Sequence, residues 1–159
     1  MPTHYPGNTQ EVLALNTLIK LTRAAESILA RLQRQGAMAH LTISQFGVLE
    51  SLYHLGPMCP SDLSTKLLKS GGNITLVLDN LEKQGLVQRE RDTEDRRMII
   101  VSLTPAGYDL ISTIFPAHVA AVVEEMSYLT PEEQQLLGDL CLKLGKPEKN
   151  KPMKPGIFF

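Results

Sequence analysis

Nine residues from Arg89 to Arg97, RERDTEDRR, carry four arginines and four acids and therefore no net charge. Guanidinium groups at this density do one of two things. They pair with the neighbouring carboxylates as a solvated surface, or the carboxylates aim them at an anionic partner such as phosphate. A second stretch, Ser70-Gly71-Gly72-Asn73, puts small residues at a helix start, where backbone N–H groups approach an anion closely. Chemistry of other kinds has no visible apparatus. There is no nucleophile–base pairing and no paired carboxylates, and Gly71-Gly72 is too short to cradle a nucleotide phosphate, so an enzyme is not expected. The four histidines are scattered, and Cys59 and Cys141 lie too far apart for metal-ligand spacing or a disulfide framework. No metal and no cofactor is expected.

The chain of 159 residues fits one domain with a hydrophobic core, at 43% hydrophobic and 21% charged residues. With a net charge of −1, any contact with nucleic acid depends on where charge is placed and not on the overall field. No apolar run reaches the roughly 18 residues that span a bilayer, and the opening MPTHYPGN has no leader pattern. The expectation is a cytoplasmic protein with no membrane contact.

Elements that would position these residues follow from caps and periodicity. Asn8 and Glu11 form a capping box and Gly36 a stop, enclosing a helix that is long for a small domain. Thr42 and Gln45 open a second helix, ended by Gly56-Pro57. Pro60 starts a short third helix carrying Leu63, Leu67 and Leu68. Ser70 caps a fourth, with Ile74, Val77, Leu78 and Leu81 facing inward and Gly85 stopping it. The period then shifts. Leu86–Arg91 and Arg97–Leu103 read as two strands around a turn, a β-hairpin. Thr104-Pro105 begins a long helix along which Tyr108, Ile111, Phe115, Val119, Val122 and Met126 run, with Pro116 inside it. Thr130-Pro131-Glu132-Glu133 begins the last, in which Cys141 reads as core. A lysine- and proline-rich tail, 146–159, is expected to be flexible.

Short helices joined by a Gly-bearing turn and followed at once by a hairpin give the order of a winged helix-turn-helix. The fourth helix is slim enough for a major groove about 12 Å wide, with Asn73, Thr75, Leu76, Asp79 and Asn80 on its free faces. The segments LTISQFGVLESL, LEKQGLV and DRR, then an apolar strand and Leu103-Thr104-x-x-Gly107, resemble the MarR family of bacterial transcription regulators. The resemblance extends to the long terminal helices. It implies a mainly α fold with a small β-hairpin wing, in which 42–103 is the winged-helix DNA-binding region. Residues 8–36 and 105–145 would be dimerisation helices, interlocked in a triangular homodimer. Such a dimer sets two recognition helices in successive major grooves, about 34 Å apart, on a pseudo-palindromic double-stranded operator.

By the same resemblance Arg97 enters the minor groove and Asp95 holds it, limiting its rotamers. Arg91 and Arg96 approach phosphates, and Arg89 points back toward the body. Lys69, Ser70, Gly72, Asn73, Thr75, Leu76 and Asn80 complete the DNA-contact set. Two departures stand out. Relatives often have arginine at the positions of Leu76 and Asn80, and residues 60 to 103 hold seven basic and seven acidic side chains. Leu76 is suited to a thymine methyl, and binding should lean on the wing. The family implies a repressor released by a small aromatic or phenolic effector, with His40, Phe46 and Tyr53 near the cleft. Two alternatives stay open. One is a winged-helix module that binds proteins or small molecules without operator recognition. The other is an oxidant or electrophile sensor through Cys59, at a helix start where the dipole favours the reactive form of a thiol.

Overall fold

The computed structural model describes residues 2–36, 38–68 and 70–145, so Lys69 and the tail expected at 146–159 lie outside the described residues. The elements run α1 (Thr9–Arg34), α2 (Ile43–Leu55), α3 (Pro60–Lys66), α4 (Gly71–Lys83), β1 (Val87–Arg91), β2 (Ile99–Leu103), α5 (Pro105–Met126) and α6 (Pro131–Gly145). They fall into two compact units, Met1–Val122 and Val123 onward.

In the first unit the helix starts are made by side chains that satisfy orphan N–H groups. Asn8 Oδ1 accepts from the Glu11 N–H at 3.0 Å, while Glu11 Oε2 accepts from the Asn8 N–H at 2.9 Å. Thr42 and Gln45 repeat the reciprocal pair at α2. Gly36, Gly56 and Gly85 stand at positive φ where helices stop. The core gathers Val48 and Leu49 of α2, Leu63 of α3, Ile74, Leu78 and Leu81 of α4, Val87 and Val101 of the hairpin, and Ile111 of α5. Each such aliphatic side chain contributes roughly 1.5–3 kcal/mol by leaving water, so α4 is fastened along its whole inner face.

β1 and β2 pair antiparallel, with Val87 opposite Leu103 and Arg89 opposite Val101. Met58 adds a rung that the sequence did not disclose. Its N–H donates to the Val101 carbonyl at 3.1 Å and its carbonyl accepts from the Val101 N–H at 2.9 Å, which ties the approach to α3 to the wing. A single rung has no periodicity to reveal it.

Thr104 joins the hairpin to α5. Its N–H donates to the Leu86 carbonyl at 3.1 Å and its hydroxyl to the Gly85 carbonyl at 2.6 Å, while Oγ1 accepts from the Gly107 N–H at 3.0 Å. One residue thus caps α5 and holds the exit of α4.

Several expectations are corrected. Leu68 is 91% exposed and adopts φ 50°, because α3 ends at Lys66 and the chain turns before Leu68 reaches the core. Arg97 and Met98 precede the second strand instead of opening it. The Asp95 carboxylate takes the Arg97 N–H at 3.0 Å and the Asp95 carbonyl takes the Met98 N–H, so both residues belong to the turn. The apolar row expected along α5 is present and not corrected: Ile111 is buried, Phe115 and Val122 pack against the core, and Tyr108 and Val119 are exposed. By length and composition α5 also meets the test for a membrane span, which core helices of soluble proteins pass too, so it does not correct the expectation of no membrane contact. No uninterrupted apolar run announces this, because polar residues such as Asp109, Ser112, Thr113 and His118 are interspersed along it.

In the second unit Thr130 and Glu133 form the capping box of α6, and Gln134 Nε2 donates to the carbonyls of Met126 and Leu129, closing the turn before it. Cys141 is exposed, which corrects the core position expected for it. Leu137, Leu140 and Leu144 beside it are exposed as well and give it no cover.

Candidate nucleic-acid interface

The two faces of α4 differ completely. Ile74, Val77, Leu78 and Leu81 are buried, while Ser70, Gly71, Gly72, Asn73, Thr75, Leu76 and Asn80 are exposed. Ser70 caps the helix, its Oγ accepting from the Asn73 N–H at 3.4 Å. Exposed Thr75 donates its hydroxyl to the Gly71 carbonyl at 3.0 Å, which leaves its oxygen able to accept. A Cβ added at Gly71 or Gly72 would meet nothing within 4 Å, so the protein's own packing does not demand glycine there. Leu76, at 62% exposure, is a large apolar side chain on an otherwise polar face.

The tip of the wing is folded by its acids. Asp92 Oδ1 accepts the N–H groups of Glu94 at 2.7 Å and Asp95 at 2.9 Å. These bonds hold the Asp92 carboxyl below its ordinary pKa, the bond from Asp95 being the larger cause. The Asp92 N–H closes the loop on the Met98 carbonyl. Asp95 therefore acts on the backbone of Arg97. Among the described residues the Arg97 guanidinium makes no ion pair, and Arg91, Arg96 and Arg97 are all exposed. Arg89 differs: its Nη2 pairs with Asp79 of α4, and its Nε lies 3.7 Å from Glu82 Oε2.

The helix, turn and wing coincide with a family model. Residues 41–99 match the MarR family. Over 87% of this chain and 90% of the relative, the chain is 34% identical to the HTH-type transcriptional regulator YkoM of Bacillus subtilis. It belongs to the MarR family. Among solved structures, it is similar to a mutant Escherichia coli MarR complexed with operator DNA, with TM-score 0.74 and 25% identity over 87% of this chain and 99% of that one. Bordetella bronchiseptica BpsR, whose DNA binding is regulated by 6-hydroxynicotinic acid, gives TM-score 0.74 and 26% identity over 81% of this chain and 98% of its own. YkoM is a transcriptional regulator by name, and the mainly helical fold with a two-stranded wing is that of the family.

The residues expected near a MarR effector cleft separate in the structure. Phe46 is buried and stacks on His118 of α5, with ring centroids 4.4 Å apart. Tyr53 packs against Tyr108 at 5.2 Å and Phe115 at 6.3 Å. His40 is exposed at φ 65° and does not join this group. The α5 members were missed in sequence, although Phe115 and His118 sit three apart on the side of Ile111, the spacing of one helix face. Burial lowers the His118 pKa, and Glu50 opposes that shift. His118 Nδ1 is buried without a hydrogen-bond partner. Cys59 is half-buried, with Sγ 2.8 Å from Ser61 Oγ.

Proposed function

We propose that this chain is a MarR-type repressor that binds a pseudo-palindromic operator as a homodimer and releases it when a small aromatic compound binds. The observation that carries the reading is the outer face of α4. It is exposed and free of arginine and lysine from Ser70 to Asn80, yet it rests on a fully buried inner face. Asn73, Thr75 and Asn80 supply donors and acceptors for base edges, and Leu76 an apolar contact for a thymine methyl. Ser70, Gly72 and the adjoining Lys69 approach the phosphate backbone at the helix start. Arg97 enters the minor groove, its backbone held by Asp95, and Arg91 and Arg96 contact phosphates. Exposed Leu13, Leu18 and Leu29 on α1 supply apolar surface for the second copy. The Phe46–His118 and Tyr53–Tyr108 pairs suit a flat aromatic effector.

Footprinting on the DNA upstream of the gene, followed by titration at several salt concentrations, tests this. A palindromic footprint is expected, with sub-micromolar affinity whose logarithm falls steeply with log salt. Sequence-independent binding that Arg97→Ala leaves unchanged would sink the reading in favour of a module without operator recognition. Phenolics, quinones and peroxides added in turn identify the releasing signal. Release by peroxide that Cys59→Ser abolishes would place the signal at the thiol instead.

A further inference from the structure

We infer that Arg89 is a positioning residue for DNA recognition. It ties β1 of the wing to α4 and offsets part of the negative charge of Asp79 and Glu82, the two carboxylates that α4 carries beside its outer face. This rests on the DNA-binding reading above.

The geometry separates Arg89 from the other three arginines of its segment. Its side chain is 24% exposed, it lies opposite the buried Val101 in the hairpin register, and it alternates onto the same side of β1 as buried Val87. The guanidinium therefore faces α4. Asp79 follows Leu76 by three positions and Thr75 by four, and Glu82 follows Asp79 by three, so both acids line one edge of the outer face. Unpaired, each carboxylate would stand close to a DNA phosphate and repel it. The planar fork of arginine reaches two carboxylates one turn apart at once, which a lysine ammonium does so less rigidly. The Nη2–Asp79 pair holds the head inward, with the buried Nε 3.7 Å from Glu82 Oε2. Asp79 and Glu82 thus set the position of the wing relative to the recognition helix through a single side chain.

A double-mutant cycle on the full chain tests this, with operator affinity measured against salt for wild type, Arg89→Gln, Asp79→Asn and the double variant. Arg89→Gln should weaken operator binding about tenfold, a coupling within the usual range for paired residues. Its log–log salt slope should stay at the wild-type value, and adding Asp79→Asn should cost little more, because either change already breaks the same tie. A slope reduced by about 0.9, as for a lost phosphate contact, together with additive effects would overturn the inference. Loss of fold alone scales the active fraction and leaves the ratio of specific to non-specific affinity unmoved, so an unchanged ratio would overturn it too. If Arg89→Gln fails to fold, Arg89→Lys keeps the charge. A reduced ratio in that variant supports positioning, and a wild-type ratio overturns it. If the wild-type chain itself shows no operator preference, the failure belongs to the DNA-binding reading and not to the brace.

Discussion

Gly107 lies so close to Leu86 that a Cβ added to it would stand 1.9 Å from the Leu86 carbonyl oxygen. That carbonyl also accepts the Thr104 N–H, so neither side can give way without breaking the junction between the end of α4 and the start of α5. Gly107→Ala should cost about 3 kcal/mol, the upper end for overpacking, with Tm lower by roughly 6–12 °C at this chain length. Thermal unfolding followed by circular dichroism checks it. A shift within error would mean that the helix start slides freely.

Asp95 and Arg97 should fail in different ways. Asp95→Ala removes the acceptor of the Arg97 N–H but no positive charge. It is expected to weaken operator binding several-fold while leaving the salt slope unchanged. Arg97→Ala should weaken binding at least as much and flatten the slope, since a cation leaves the DNA surface. Fluorescence anisotropy at three or more salt concentrations separates the two, and equal slopes in both variants would count against a groove role for Arg97.

Leu76 offers a test that needs no change of charge. Replacing a contacted thymine by uracil removes one methyl group, worth roughly 0.8 kcal/mol when buried. Wild-type protein should lose that amount at one operator position per half-site, and Leu76→Ala should be indifferent there. A uracil scan that finds no sensitive position removes Leu76 from the readout.

His118 predicts a pH dependence of stability. Burial lowers its pKa from the ordinary 6.5, the effect of Glu50 being smaller and opposite. The unfolded chain then binds more protons than the folded one between those two pKa values. Its stabilising contribution is complete above about pH 6.5 and is lost as pH falls through that window. Denaturant titrations from pH 7.5 to 5 should show stability declining for wild type and a flatter profile for His118→Phe, which keeps the stack on Phe46. Parallel profiles would show that another group titrates.

Much of this was legible in sequence where chemistry is local. Asn8 with Glu11, Thr42 with Gln45 and Thr130 with Glu133 each announce a helix start, because a cap needs only residues three apart, and the inner face of α4 follows from its apolar spacing. What stayed hidden involves partners distant along the chain. The Met58–Val101 rung, the pairing of Arg89 with Asp79 and the Phe46–His118 stack each join separate elements, and no spacing rule encodes them. Leu68 was misplaced for a related reason. Its hydropathy and position suit a helix face, but the turn before α4 takes it at positive φ and turns it to solvent.

The tip of the wing is a self-contained cassette. Asp92 takes the N–H groups of Glu94 and Asp95, Asp95 takes those of Arg97 and Met98, and the Asp92–Met98 bond closes the loop, so seven consecutive residues carry the instructions for their own shape. Such a segment is portable. Its shape is set from within, so the exposed arginines beside it can change without disturbing the packing of α4.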